Sequence, residues 1–292
     1  SFRSLQALSG GRCGWNLVTS SNAQEAFNFG RDQHFTHAER YRQAQQFHQQ
    51  VTAQWAEQGV QPVQVLAGDS EAGRAFAAQR ADVVFTAQPT LAGAQVFYRD
   101  IKRRVAQQQR DPDRVKIMPG ILPIIGRSRA EAEDRQGLLQ RLVQPEVGLS
   151  LLSDVAGGTD LSRYPLDGPL PELPVTESGR SRQQLLVELA RNENLSIRQL
   201  YQRIANARGH LAVAGTAGDI ADCLEAWFHG HAADGFNVMP PWLPGGLDDF
   251  VDLVIPELQR RGLFRTHYTG RTLRDNLGLA ANPKPQKETA HG

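Results

Sequence analysis

A few short groups of residues in this chain have types and spacings that could do chemistry. The segment Ala67-Gly68-Asp69-Ser70-Glu71 joins a strand-like run to a helix-like run. The amino terminus of a helix presents free backbone N–H groups and a partial positive charge, which suits a phosphate. Gly68 would let the backbone approach such a ligand, and the Ser70 hydroxyl can donate to a phosphate oxygen. Asp69 has the wrong sign for that neighbour, so its carboxylate must cap the helix or turn away. The alternative is an ordinary βα turn with Asp69 or Ser70 as N-cap. His37 and Tyr41 are four residues apart, hence on one face of a helix that has begun by Thr36. An imidazole and a phenol there could both donate to a ligand. Equally, Tyr41 could be the first core residue of its helix and His37 a solvated neighbour.

Asn16 lies in the second half of a short strand-like run, and its amide can both donate and accept. Arg208-Gly209-His210 precedes another extended run. A histidine there could shuttle protons near neutral pH, or could be a surface residue after a capping glycine. Phe85, at the end of a strand-like run, could line a pocket or belong to the core. His229-Gly230-His231 has no third ligand nearby, so the sequence offers no metal site. Gly10-Gly11 and Gly245-Gly246 lack the spacing of a dinucleotide or nucleotide loop. Cys13, beside Gly14, is expected as a buried strand-edge residue rather than a nucleophile.

The elements that must position these residues alternate. Strand signals at 14–20, 62–68, 81–87 and 116–126 are each followed by apolar residues at helical spacing, and a last strand spans 235–240. Pro119 and Pro123 are expected near the ends of the fourth strand or at a bulge. Residues 211–213 are short and extended, and Thr216-Ala217-Gly218-Asp219 has capping-box spacing. Helices are expected at 183–192, 196–208 and 250–261. Between 144 and 182, rich in proline and glycine, the chain is expected to form a long loop. Five parallel strands in βαβ units follow, starting near 14, 62, 81, 116 and 235. They suit an open doubly wound sheet or part of an eight-stranded barrel.

The 292 residues are 40% hydrophobic and 22% charged, the make-up of a globular chain. Lys plus Arg is 32 against 31 for Asp plus Glu, so a net charge of +1 argues against nucleic-acid binding through bulk positive charge. No apolar run approaches the roughly 18 residues that cross a membrane, and no basic-then-apolar leader is visible. Cys13 and Cys223 are too few for a disulfide framework. The expectation is a reduced, cytoplasmic protein.

The segments Leu8-Ser9-Gly10-Gly11-Arg12-Cys13-Gly14-Trp15-Asn16-Leu17-Val18-Thr19-Ser20, His37-Ala38-Glu39-Arg40-Tyr41 and Leu66-Ala67-Gly68-Asp69-Ser70-Glu71-Ala72-Gly73-Arg74 resemble the flavin-dependent monooxygenases related to the nitrilotriacetate and dibenzothiophene-sulfone enzymes. These form a branch of the bacterial-luciferase-like superfamily. The likeness continues through Phe85-Thr86-Ala87-Gln88, Asp160-Leu161-Ser162, Ala207-Arg208-Gly209-His210, Asp234-Gly235-Phe236-Asn237 and Thr272-Leu273-Arg274-Asp275, so it covers nearly the whole chain.

The resemblance implies a TIM-type (β/α)8 barrel. Family members carry three further strands before the point where this chain starts, and a longer connection where it passes from Trp55 to Pro62. An incomplete barrel of about five parallel strands over 1–277 is therefore expected, with an insertion at 144–182 and a loose tail at 278–292. The resemblance further implies reduced flavin mononucleotide (FMN), delivered by an NAD(P)H-dependent flavin reductase, and O2 as the oxidant of a small organic substrate. It assigns Asn16, His37, Tyr41, Gly68, Asp69, Ser70 and Glu71 to FMN, His210 to catalysis and Phe85 to the substrate pocket. A homodimer or homotetramer is implied. A deazaflavin-dependent oxidoreductase and a catalytically inactive barrel fragment are the competing expectations.

Overall fold

Strands and helices alternate along the chain in a computed structural model that describes residues 2–20, 23–57, 59, 61–174, 180–207 and 209–279. Helix α1 (Phe2–Leu8) precedes strand β1 (Gly14–Leu17), and α2 (His37–Glu57) precedes β2 (Val63–Ala67). Then come α3 (Glu71–Arg80), β3 (Val83–Thr86), α4 (Leu91–Gln107) and the long β4 (Lys116–Ile125). Four helices follow: α5 (Arg129–Arg141), α6 (Pro145–Val155), α7 (Arg180–Asn192) and α8 (Ile197–Ala207). Strand β5 (Leu211–Gly215), α9 (Ala217–His229) and the two-residue β6 (Asn237–Val238) lead to α10 (Gly245–Asp249), α11 (Ile255–Arg260) and α12 (Leu273–Asn276). Strands β1 to β5 pair in sequence order, all parallel, and β6 pairs with β4. The chain divides into two compact units.

The first unit comprises Ser1–Gly120, Glu225–Asn237 and Gly262–Gly292. Its strands present alternate residues to two apolar layers, as the period of two requires. Leu66, Val84 and Ile117 pack with Tyr41 and Ala44 of α2, Phe76 and Ala77 of α3, and Phe97, Ile101 and Val105 of α4. Val63 and Val83 pack instead with Leu279, beside Leu273 and Leu277. Leu279 thus lies buried inside the segment expected to be loose. Residues from 280 onward, including the rest of that expected tail, lie outside the described residues. An ion pair fastens the same corner: Arg274 meets Asp82 at 2.7 Å, both side chains only 13% exposed, and Asp82 also accepts from the Gln64 N–H at 3.0 Å.

Trp15 is the one buried residue of β1. Its ring lies 5.0 Å from that of Trp55, 6.1 Å from Phe47 and 6.2 Å from Phe2. The His48 ring stacks on it at 5.9 Å and 11°. His48 is buried, and its Nε2 lies 2.5 Å from Gln64 Oε1. Burial holds its pKa below the ordinary histidine value, which keeps the ring neutral.

The second unit comprises Ile121–Leu224 and Val238–Arg261. Here α6 and α8 pack around Leu152, Leu161, Leu186, Ile197, Leu200 and Tyr201. A Cβ on Gly148 of α6 would come within 2.3 Å of the Tyr201 ring, so this glycine permits close helix contact. The loop expected at 144–182 is therefore only partly a loop. Pro145 sits in the first turn of α6, where its missing N–H has no partner to lose, and it starts a helix instead of breaking one. Residues 175–179 of that stretch lie outside the described residues.

Two more expectations are corrected. The fifth parallel strand is β5, not the segment at 235, which contributes only the two residues of β6. Its pattern, Leu-Ala-Val-Ala-Gly, is short and built of small residues, yet it pairs over Ile121–Ile125 of β4. The two prolines of β4 are also placed. Pro119 closes the register with β3, opposite Thr86, whereas Pro123 falls inside the stretch paired with β5. The Ile121 carbonyl of that stretch also accepts the Met239 N–H, next to β6, at 2.8 Å, and a proline fits such a strand only where the ladder asks for no N–H. The Thr216–Asp219 capping box forms as its spacing requires, with Thr216 Oγ1 accepting the Asp219 N–H and Asp219 accepting the Thr216 N–H. The last long helix is divided by a π-helical turn at Phe250–Val254.

Candidate functional site

At the carboxyl end of β2 the chain turns sharply into α3. Gly68 takes φ of +137°, a conformation that side chains disfavour. Ser70 is the N-cap of α3, its hydroxyl accepting the Gly73 N–H at 3.1 Å. The same hydroxyl donates to the Tyr41 hydroxyl at 3.3 Å. Tyr41 comes from α2, where helical spacing stacks His37 beside it with ring centroids 4.8 Å apart. Tyr41 is 8% exposed and packs over the turn itself. A Cβ on Gly68 would lie 2.9 Å, and one on Gly73 2.8 Å, from its oxygen.

This arrangement leaves donors without acceptors. With Ser70 donating to it, the Tyr41 oxygen keeps its own hydrogen, for which no acceptor stands among the described residues. The N–H groups of Glu71 and Ala72, in the first turn of α3, are equally open. The Tyr41 hydroxyl thus stands over Gly68 and Gly73 at the amino terminus of α3, an arrangement that suits an anionic oxygen cluster.

The carboxylates on either side of Ser70 are turned aside. Asp69 does not cap the helix; its Oδ1 accepts from Thr86 Oγ1 at 2.8 Å, at the carboxyl end of β3. Glu71 is held by both terminal nitrogens of Arg104, at 2.6 and 2.8 Å, and this pairing lowers its pKa. Glu71 can therefore serve a ligand through its backbone N–H, not its side chain. Arg104 in turn bonds Asp100, which also receives Arg74 and Arg103.

The other expected residues are more scattered. Asn16 sits on β1 opposite Val65, with its side chain exposed. Phe85 is half-buried on β3, opposite Ala67 and Met118. His210 lies in the turn between α8 and β5, its N–H bonded to Ala207 O at 2.8 Å, so it precedes its strand. Ligand sites of parallel barrels gather at the carboxyl ends of strands, and the carboxyl end of β5 carries Gly215 and Thr216 instead. Arg208 of the same group lies outside the described residues. Sequence reasoning missed Gly73 and Thr86; a buried hydroxyl closing an apolar strand was the available signal for the latter.

Comparison with known proteins takes these observations further. The model of the luciferase-like monooxygenase family matches residues 1–234. Nitrilotriacetate monooxygenase component A of Aminobacter aminovorans is 43% identical over 322 residues, covering 96% of this chain and 71% of that protein. Dibenzothiophene-sulfone monooxygenase of Rhodococcus erythropolis is 38% identical, covering 95% and 71%. Among solved structures, the EDTA monooxygenase of Chelativorans sp. BNC1 superposes with a TM-score of 0.74 at 30% identity, covering 96% of this chain and 74% of that one. A riboflavin lyase solved with modified FMN and riboflavin gives a TM-score of 0.76 at 25% identity, covering 95% and 70%. The parallel strands and their helices are accordingly those of an incomplete TIM-type barrel. The convergence of donors at the β2–α3 turn thus sits in a chain that belongs to the luciferase-like monooxygenase family, and the enzyme class is that of a flavin-dependent monooxygenase, an oxidoreductase.

Proposed function

We propose that the chain is the oxygenating component of a two-component monooxygenase. It would take reduced FMN from a separate NAD(P)H-dependent flavin reductase and use O2 to oxygenate a small organic substrate. The observation that carries this is the cluster of Tyr41 hydroxyl, Ser70 hydroxyl and open α3 amides over Gly68 and Gly73, which fits a phosphate monoester. FMN has such a group and riboflavin does not. Support also comes from the solved relative that holds a modified FMN and from the relative described as component A of a monooxygenase.

In this reading the Tyr41 hydroxyl and the N–H groups of Glu71 and Ala72 anchor the phosphate, Ser70 holds Tyr41 over the turn, and His37 lies beside them. Asn16 presents its amide to the flavin ring, and Phe85 lines the substrate side. FMN, once reduced and bound, supplies the electrons that activate O2. The protein's part is to bind, orient and exclude water.

Fluorescence titration of the full chain with FMN and with riboflavin tests the anchor. Wild type should prefer FMN. Tyr41→Phe, which removes the open donor, should weaken FMN roughly 10- to 100-fold, the range of a hydrogen bond to a charged group; Ser70→Ala, which removes the hydroxyl that holds Tyr41 over the turn, should weaken it in the same direction, and both should leave riboflavin unchanged. Equal affinity of wild type for the two flavins would overturn the assignment.

His210→Ala gives a separate expectation. Because the residue precedes β5, oxygenation rate with externally supplied reduced FMN should stay within about twofold of wild type. A loss in the range of about 10²–10⁴-fold, that of a general acid or base, would restore His210 as the catalytic group.

A further inference from the structure

The turn proposed to hold the flavin phosphate carries a carboxylate of the wrong sign at Asp69, and the structure contains a device that deals with it. Thr86 is 3% exposed at the end of β3. Its hydroxyl donates to Asp69 Oδ1 at 2.8 Å and accepts from Gln88 Nε2 at 3.0 Å. With Gln88 supplying a hydrogen to the Thr86 oxygen, the hydroxyl's own hydrogen is directed at Asp69. We infer that Thr86 is a positioning residue for anion binding, holding the Asp69 carboxylate sideways so that the amino terminus of α3 stays open to a phosphate. The inference rests on the phosphate reading above and adds a residue to it.

The physical case is electrostatic. A helix amino terminus offers about half a positive charge, effective only within its first turn. One carboxylate swung into that turn would cap the open N–H groups and cancel the attraction. Ser and Asp are both good N-caps, so an unrestrained Asp69 would compete with Ser70 for the same donors. Glu71 is already diverted by Arg104, which leaves Asp69 as the acidic side chain that, among the described residues, Thr86 restrains. Among the described residues Thr86 hydrogen-bonds Asp69 and Gln88 and neither Ser70 nor Tyr41, so its hydroxyl acts on a ligand through Asp69.

Thr86→Val keeps the shape of the side chain and removes its hydroxyl. Titrated with FMN and riboflavin, this variant should bind FMN on the order of 10-fold more weakly, a change suited to a partly screened charge contact. Riboflavin affinity should hold within about twofold. Thr86→Ser, which keeps the hydroxyl, should behave as wild type. The double variant Thr86→Val with Asp69→Asn should recover FMN affinity, which a packing defect at Thr86 could not do.

Asp69→Asn alone provides an arm that does not depend on the fold of the valine variant. It should bind FMN at least as well as wild type, and a 10-fold weakening would show that the carboxylate itself serves the ligand. The inference is overturned by unchanged FMN affinity in Thr86→Val, by equal loss for both flavins, or by failure of Asp69→Asn to rescue. If wild type shows no preference for FMN over riboflavin, the phosphate reading falls and this inference with it. If Ser70→Ala removes the preference but Thr86→Val does not, only the role of Thr86 falls.

Discussion

Gly73→Ala is expected to abolish FMN binding at concentrations that saturate the wild-type chain. Alanine has the better helix propensity by about 1 kcal/mol, and on an open helix the change would stabilise. Here the added Cβ meets the Tyr41 hydroxyl at 2.8 Å and the Gly68 backbone at 3.1 Å. The Gly68 carbonyl group cannot withdraw without undoing the turn, and the Tyr41 ring is packed in the core, so both must shift. Overpacking of this kind destabilises by about 1–3 kcal/mol. The shift separates Tyr41 from Ser70 and so dismantles the donor cluster. Adding Tyr41→Phe removes the clashing oxygen, and the double variant should regain stability in urea without regaining FMN. Retained FMN affinity in Gly73→Ala would mean that the anchor lies elsewhere.

The second large effect concerns stability. Asp82 and Arg274 form a pair mostly withdrawn from water, and removing one partner of such a pair costs about 3–5 kcal/mol. The two removals differ. Arg274→Ala leaves Asp82 the Gln64 N–H and the field of Arg110, whose guanidinium donates to Ala78 O and Ala81 O nearby. Asp82→Ala removes the carboxylate whose charge offsets both Arg274 and the half-buried Arg110, which repel one another. Asp82→Ala should therefore lower the urea midpoint more.

Acid acts on the same corner through His48. Its folded pKa is depressed by burial, so its contribution is complete above the unfolded value of about 6.5 and is lost as pH falls through that value towards the folded one. The midpoint should drop between pH 7 and pH 5, and His48→Gln should flatten that part of the profile.

Much of the fold was legible because the first unit follows its periodicity. Leu66, Val84 and Ile117 alternate with Val63, Val83 and Met118, and the helices carry single apolar stripes. What misled was proline and brevity. Pro145 sits where a helix can begin, and Leu211–Gly215 is built from residues too small to register as a strand until β4 pairs with it. For the site, spacing alone brought His37 and Tyr41 to one face and Ser70 to a cap. Their meeting across 29 residues of sequence separation is a tertiary fact, and so is the diversion of Asp69 and Glu71 by residues of other elements. That His210 precedes β5 is local, whereas the direction of β5 is fixed by its parallel pairing with β4.

The stack of His48 on Trp15 has an optical consequence. An imidazolium quenches indole emission far more than a neutral imidazole does, and the two rings lie nearly parallel at 5.9 Å. Trp55 meets Trp15 edge-on at 5.0 Å and shares its excitation. The corner tied by Arg274 and Asp82 through Gln64 therefore emits a signal that dims when His48 takes up a proton and shifts to the red when the cluster opens to water. No label has to be attached. A titration of that emission, with Trp15→Phe as the blank, would follow protonation and opening of the first unit in the same cuvette as flavin binding.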